Sequence, residues 1–107
     1  MYLLIGAGGH AKVITEAIIA NNENVCGFLD DHSKESELLG YPIRGKISDL
    51  PHVMREFSNV KVIISIGDNK VRRNIVDRLS PYKINYGKVI HPRACVSTSA
   101  VLMKAQS

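Results

Sequence analysis

Tryptophan is absent from this 107-residue chain, cysteine occurs twice, and aromatic residues make up only 6% of it. With so few rings, no stacking platform for a nucleic-acid strand is expected. The net charge of +4 does not change that, because the basic residues are scattered and the one tight cluster is Arg72-Arg73 with Lys70 nearby. Such a spread reads first as solvated surface and second as a local anion site. Neither cysteine belongs to a CxxC pair, and His10, His32, His52 and His91 lie far apart, so no metal spacing stands out. Cys26 falls in an apolar strand pattern and Cys95 near the end. Two thiols in a reducing compartment are expected rather than a disulfide. No apolar run approaches the ~18 residues of a membrane span. Met1-Tyr2 leads straight into an apolar segment with no basic leader. The expectation is a cytoplasmic protein with neither membrane nor nucleic acid as partner. No serine or cysteine stands in a recognisable motif with a base, and His91, beside Pro92, has no evident partner. No catalytic residue is assigned.

What the chain does have begins at residue 2. The apolar run Tyr2–Ile5 ends in Gly6, Gly8 and Gly9, and a helical pattern follows at Ala11–Ala20, with Val13, Ala17 and Ala20 on one face and Ile14 and Ile18 beside it. A strand turning through glycines into a helix start is a device for holding phosphate: backbone comes close, and unpaired N–H groups point at the anion. Asn24–Leu29 reads as a second strand closing at Asp30-Asp31, and 32–39 as a flexible loop. A short extended piece at 42–45 follows, then a small helix near Pro51–Phe57. Val60–Ile66, rich in β-branched residues, reads as a central parallel strand. A helix over Lys70–Leu79 carries the stripe Val71, Ile75, Leu79, and a last extended segment starts at Ile84. Alternating strands and helices predict an α/β, Rossmann-like parallel sheet with helices on both faces.

The tail changes period. From Ile90 it divides into IHPRAC, VSTSAV and LMKAQS, with Ile90, Val96 and Leu102 leading and Ala94, Ala100 and Gln106 four places later. An aliphatic residue every six positions with a small one four later marks the left-handed parallel β-helix. A frayed, alternating terminal strand is the competing reading. The domain expectation is 1–89 as the Rossmann-like unit and 90–107 as the first coil of a β-helix.

Gly6-x-Gly8-x-x-Ala11 fits a loose dinucleotide fingerprint, with Asp30 and Asp31 at the end of the second strand where a carboxylate reaches a ribose hydroxyl. A tight turn that binds nothing is the alternative. His10 can donate a ring N–H to a phosphate or sugar oxygen, or simply cap the helix. The backbone of Ile66 and Gly67 can meet the edge of a flat base, and Asp68 or Asn69 can cap the next helix. Arg72 and Arg73 have phosphate within reach in principle, although arginines on helix surfaces usually serve no ligand.

Five pieces, taken in order, resemble the N-terminal half of the sialic-acid O-acetyltransferase and bacillosamine-type sugar acetyltransferase family: Gly6-Ala-Gly-Gly-His-Ala-Lys12, Phe28-Leu-Asp-Asp31, Gly40-Tyr-Pro42 with Gly45 and Asp49-Leu50, Ile64-Ser-Ile-Gly-Asp-Asn69 with Arg72-Arg73, and Ile90-His-Pro-Arg-Ala94. They cover nearly the whole chain. The resemblance implies a domain that binds a UDP-amino sugar, followed by a hexapeptide-repeat β-helix that binds acetyl-CoA, forms homotrimers and carries the catalytic histidine several coils in. It implies that Gly8, Gly9 and His10 meet phosphates and sugar, that Asp30 and Asp31 lie near ribose and uracil, and that Gly67 faces the base. One coil leaves the catalytic histidine and acetyl-CoA groove without counterparts, so the 107 residues are expected to be inactive alone and monomeric or weakly associated. A regulatory module for NAD or an adenine nucleotide is the alternative, and an assembly domain acting through its tail is a third.

Overall fold

The computed structural model describes residues 1–88, so the hexapeptide tail, His91 and Cys95 lie outside the described residues. Strand β1 (Tyr2–Ile5) runs into helix α1 (Gly9–Ala20), then β2 (Val25–Leu29), a hairpin of β3 (Glu37–Leu38) and β4 (Tyr41–Gly45), a 3-10 turn at Ile47–Asp49, helix α2 (Leu50–Glu56), β5 (Lys61–Ile64) and helix α3 (Asn69–Leu79). The sheet order is β3-β4-β2-β1-β5, parallel throughout except for β3 against β4.

Every residue of β1 is buried because both faces of the sheet are covered. Tyr2 and Leu4 pack with Ala11, Ile14, Ala17 and Ile18 of α1. Leu3 and Ile5 face the opposite way, onto Leu50 and Val53 of α2 and Ile75 and Leu79 of α3. The chain leaves β1 toward β2 on one side and returns to β5 on the other. A cleft forms at such a reversal, outside the carboxyl ends of the strands.

Four local expectations change. The segment 32–39 is not simply a loop: Glu37–Leu38 pairs with Tyr41-Pro42. Leu39 and Gly40 both have positive φ, 51° and 82°, as primed hairpin turns require; the usual Asn-Gly signal is replaced by Leu-Gly. The β-branched strand is not central. Strand β5 pairs with β1, and on its other side the described residues supply only an isolated bridge from Val62 to Tyr86. On α1, Val13 is 57% exposed and Thr15 is buried, because the helix rests on the face through Ile14 and Ile18. On α3, Arg72 is buried and Val71 is not.

Strand β2 carries a bulge. Its pairing with β1 steps from Val25 to Gly27 against consecutive Tyr2 and Leu3, and Gly27 takes a φ of 144°. A Cβ there would strike the Pro42 carbonyl and Arg44. One extra residue reverses which face each later side chain meets. Cys26, at the bulge between β1 and β4, is 4% exposed.

Candidate functional site

The turn from β1 to α1 is built by three glycines that differ in kind. Gly6 has a φ of 101°, and a Cβ on it would sit 2.7 Å from Ile66 Cγ1. It is glycine for the fold's own sake. Gly8 has ordinary extended dihedrals, φ −97° and ψ −160°, and a Cβ on Gly8 or Gly9 would meet nothing within 4 Å. Neither the backbone nor the packing around them calls for glycine. Gly8 makes no side-chain cap, and the first turn of α1 holds no acidic residue, so the positive end of this 12-residue helix faces outward without an anion of its own.

That turn forms one wall of a cleft of about 680 Å³, in the size range of small-molecule sites. All six residues singled out by sequence line it: Gly8, Gly9, His10, Asp30, Asp31 and Gly67. His10 contributes a buried Nε2 that has no hydrogen-bond partner.

The two aspartates are already engaged. Asp30 Oδ2 accepts the Ala7 N–H at 2.8 Å, and its Oδ1 accepts from His32 N at 2.7 Å and Ser33 N at 2.9 Å. Asp30 therefore fixes the glycine turn. Asp31 Oδ1 accepts the Ile47 N–H at 2.9 Å, and Oδ2 meets Arg78 Nη1 at 3.0 Å. The Ile47 hydrogen bond above all, helped by Arg78, holds the Asp31 carboxyl below the usual aspartate range against a smaller opposing effect of burial.

On the far side of β1, the end of β5 is held twice. Ser65 Oγ donates to the carbonyls of Ile5 and Gly6 at 2.8 and 2.9 Å. Arg72, only 6% exposed, donates Nε and Nη2 to the Ile66 carbonyl at 3.2 and 3.1 Å and Nη2 to Gly67 at 3.4 Å. The carbonyls expected to face a base thus receive Arg72. Arg73 is exposed and does not line the cleft.

Sequence reasoning did not single out Ile47, Ser65, Val71, Asn74, Ile75 or Arg78 as site residues, and all line the cleft. The signal available for α3 is the helical spacing of 71, 74, 75 and 78, which shares Val71 and Ile75 with the apolar stripe Val71, Ile75, Leu79. Among the described residues, no three His, Cys, Asp or Glu side chains converge as a metal site, no helix is long and apolar enough to cross a membrane, and no hydroxyl or thiol is hydrogen-bonded to a histidine.

Comparison with known proteins adds an independent line. A family model described as the PglD N-terminal domain matches residues 2–79. The chain is 35% identical over 100 residues to UDP-N-acetylbacillosamine N-acetyltransferase of Bacillus subtilis strain 168, covering 92% of this chain and 46% of that protein. Among solved structures, a mutant perosamine N-acetyltransferase from Caulobacter crescentus, in complex with CoA and GDP-perosamine, superposes with a TM-score of 0.74 at 32% identity, over 85% of this chain and 42% of the other. The acetyltransferase domain of PglB from Neisseria gonorrhoeae, in complex with acetyl coenzyme A, gives a TM-score of 0.68 at 27% identity, over 85% and 43%. The chain spans less than half the length of each of these proteins.

Proposed function

The chain belongs to the PglD N-terminal domain family, and from that premise we propose that it is the sugar-nucleotide-binding part of an acetyl-CoA-dependent sugar acetyltransferase, with a UDP-amino sugar as ligand. The observation that carries this reading is the pair Gly8 and Gly9: glycines with open space above them, at an uncapped helix start on a cleft wall. In the proposal, diphosphate oxygens fill that space and accept the N–H groups of the first helical turn. His10, on the same wall of the cleft, meets the phosphates or the sugar of that ligand in this reading. Asp30 keeps the turn in shape from behind, and Gly67 leaves the opposite wall open.

The UDP-linked name of the Bacillus subtilis relative favours a uracil nucleotide; the Caulobacter crescentus structure carries a guanine nucleotide. In this reading the sugar's amine or hydroxyl attacks the acetyl-CoA thioester carbonyl while a base takes its proton, with base and thioester provided beyond residues 1–89. Residues 90–107 then begin the hexapeptide β-helix through which a homotrimer assembles, and the enzyme works in the cytoplasm. Asp30, the carboxylate that the dinucleotide fingerprint offers to a ribose, spends its oxygens on three backbone N–H groups, so the choice between NAD and a sugar nucleotide rests on the family match. Isothermal titration with a UDP-N-acetyl-amino sugar, a GDP-sugar and NAD tests the reading. A sugar nucleotide is expected to bind at least about tenfold tighter than NAD, and NAD binding without sugar-nucleotide binding overturns it.

A further inference from the structure

Helix α3 turns one stripe toward the cleft: Val71, Asn74, Ile75 and Arg78. Val71 is apolar yet 43% exposed, and it lines the cleft together with Ile47 and Ile75, apolar surface of the kind a base ring packs against. Arg78 lines the same cleft. Its Nη1 is held at 3.0 Å by Asp31 Oδ2, and Asp31 is itself fixed by the Ile47 N–H. An ion pair this exposed, with Arg78 at 49% and Asp31 at 26%, adds little to stability. What it does provide is position: the contact holds the guanidinium beside Asp31 on the cleft, with further planar donors to offer a ligand.

We propose that Arg78 selects the base of the bound nucleotide, admitting one with a keto oxygen and disfavouring adenine. The inference rests on the sugar-nucleotide reading above and adds the residue that discriminates. Asn74, one turn before Arg78, is indifferent, because a side-chain amide both donates and accepts and pairs with the amine and ring nitrogen of adenine as readily as with the keto and imide groups of uracil. Arg78 only donates. Facing uracil or guanine it meets a keto oxygen; facing adenine in the same place it meets an exocyclic amine, and two donors oppose each other.

The test is titration of the 107-residue chain and its Arg78→Met and Arg78→Lys variants with UDP, GDP and ADP, with circular dichroism to verify folding. The unaltered chain is expected to favour UDP or GDP over ADP by about tenfold or more, the scale of one good base contact. Arg78→Met brings that ratio to within about threefold, and Arg78→Lys, which keeps the charge but loses the planar fork, also lowers it by about threefold or more. Should Arg78→Met fail to fold, the lysine variant decides alone. An unchanged ratio in the folded variants, or no preference in the unaltered chain, overturns the role of Arg78 and leaves the sugar-nucleotide reading standing. Failure of the unaltered chain to bind any of the three nucleotides overturns that reading and this inference with it.

Discussion

Two neighbouring strands end in a turn and a helix, and they do so in opposite ways. At β5, Asp68 caps α3 with its own side chain, accepting the N–H groups of Lys70 and Val71 at 2.9 and 3.0 Å, and Ser65 and Arg72 pin the backbone before it. At β1, α1 starts on a glycine with no cap, no acid in the first turn and no contact that would resist a side chain. A helix start normally satisfies its own donors. One of these turns does, and the other leaves its donors to whatever enters the cleft. The difference separates what the fold needs from what a ligand needs, within a few residues of each other.

The comparison breaks most dramatically at Gly6. Gly6→Val forces a branched side chain into a left-handed backbone position and against Ile66, and is expected to destabilise the domain by about 3 kcal/mol or more, read from urea unfolding. Two residues on, Gly8→Val should cost no more than about 1 kcal/mol, because valine is a poor N-cap, while lowering sugar-nucleotide affinity about a hundredfold, because the branched side chain occupies the space open to phosphate. Unchanged affinity would make this turn as self-contained as the other. At α3, Asp68→Ala removes a cap and should cost about 1 kcal/mol of stability, with the sugar-nucleotide affinity falling far less than in Gly8→Val.

The smallest effect concerns pH. The Asp31 carboxyl is depressed in the folded state, so its contribution is fully present above the ordinary aspartate value near pH 4 and is lost as pH falls through the lower folded value. Stability curves of the unaltered chain and Asp31→Asn should therefore lie furthest apart near pH 7 and converge as pH drops below about 4. A separation that grows in acid would reverse the assignment.

The turn-and-helix at residues 6–20 and the parallel α/β order were legible because glycines, β-branched runs and apolar spacing are local signals. The same holds for the position of Gly8, Gly9, His10, Asp30, Asp31 and Gly67 on one cleft, since strand ends gather on one side of a parallel sheet. What the aspartates do was not legible. The bulge at Cys26-Gly27 decides which face each later residue meets, and pairing register is not written in the strand's own pattern. Nor was the orientation of α3: Val71-Ile75-Leu79 and Arg72-Ile75-Leu79 are both helical stripes, and the carbonyls of Ile66 and Gly67, which receive Arg72 inside the fold, are set by tertiary structure. Ile47 and Arg78 reach the cleft through Asp31, a contact across the fold with no trace in local sequence.

The bulge in β2 leaves a thiol that can serve as a clock. Burial pushes the Cys26 thiol pKa up, with Arg44 opposing in part, and only a thiolate attacks an alkylating reagent. A closed sheet is thus doubly inert at this position, shielded by its neighbours and held protonated. In a Cys95→Ser background, the rate of Cys26 labelling measures how often β2 parts from β1 and β4, and its slowing by a sugar nucleotide would time the cleft's hold on the sheet without any spectroscopic tag.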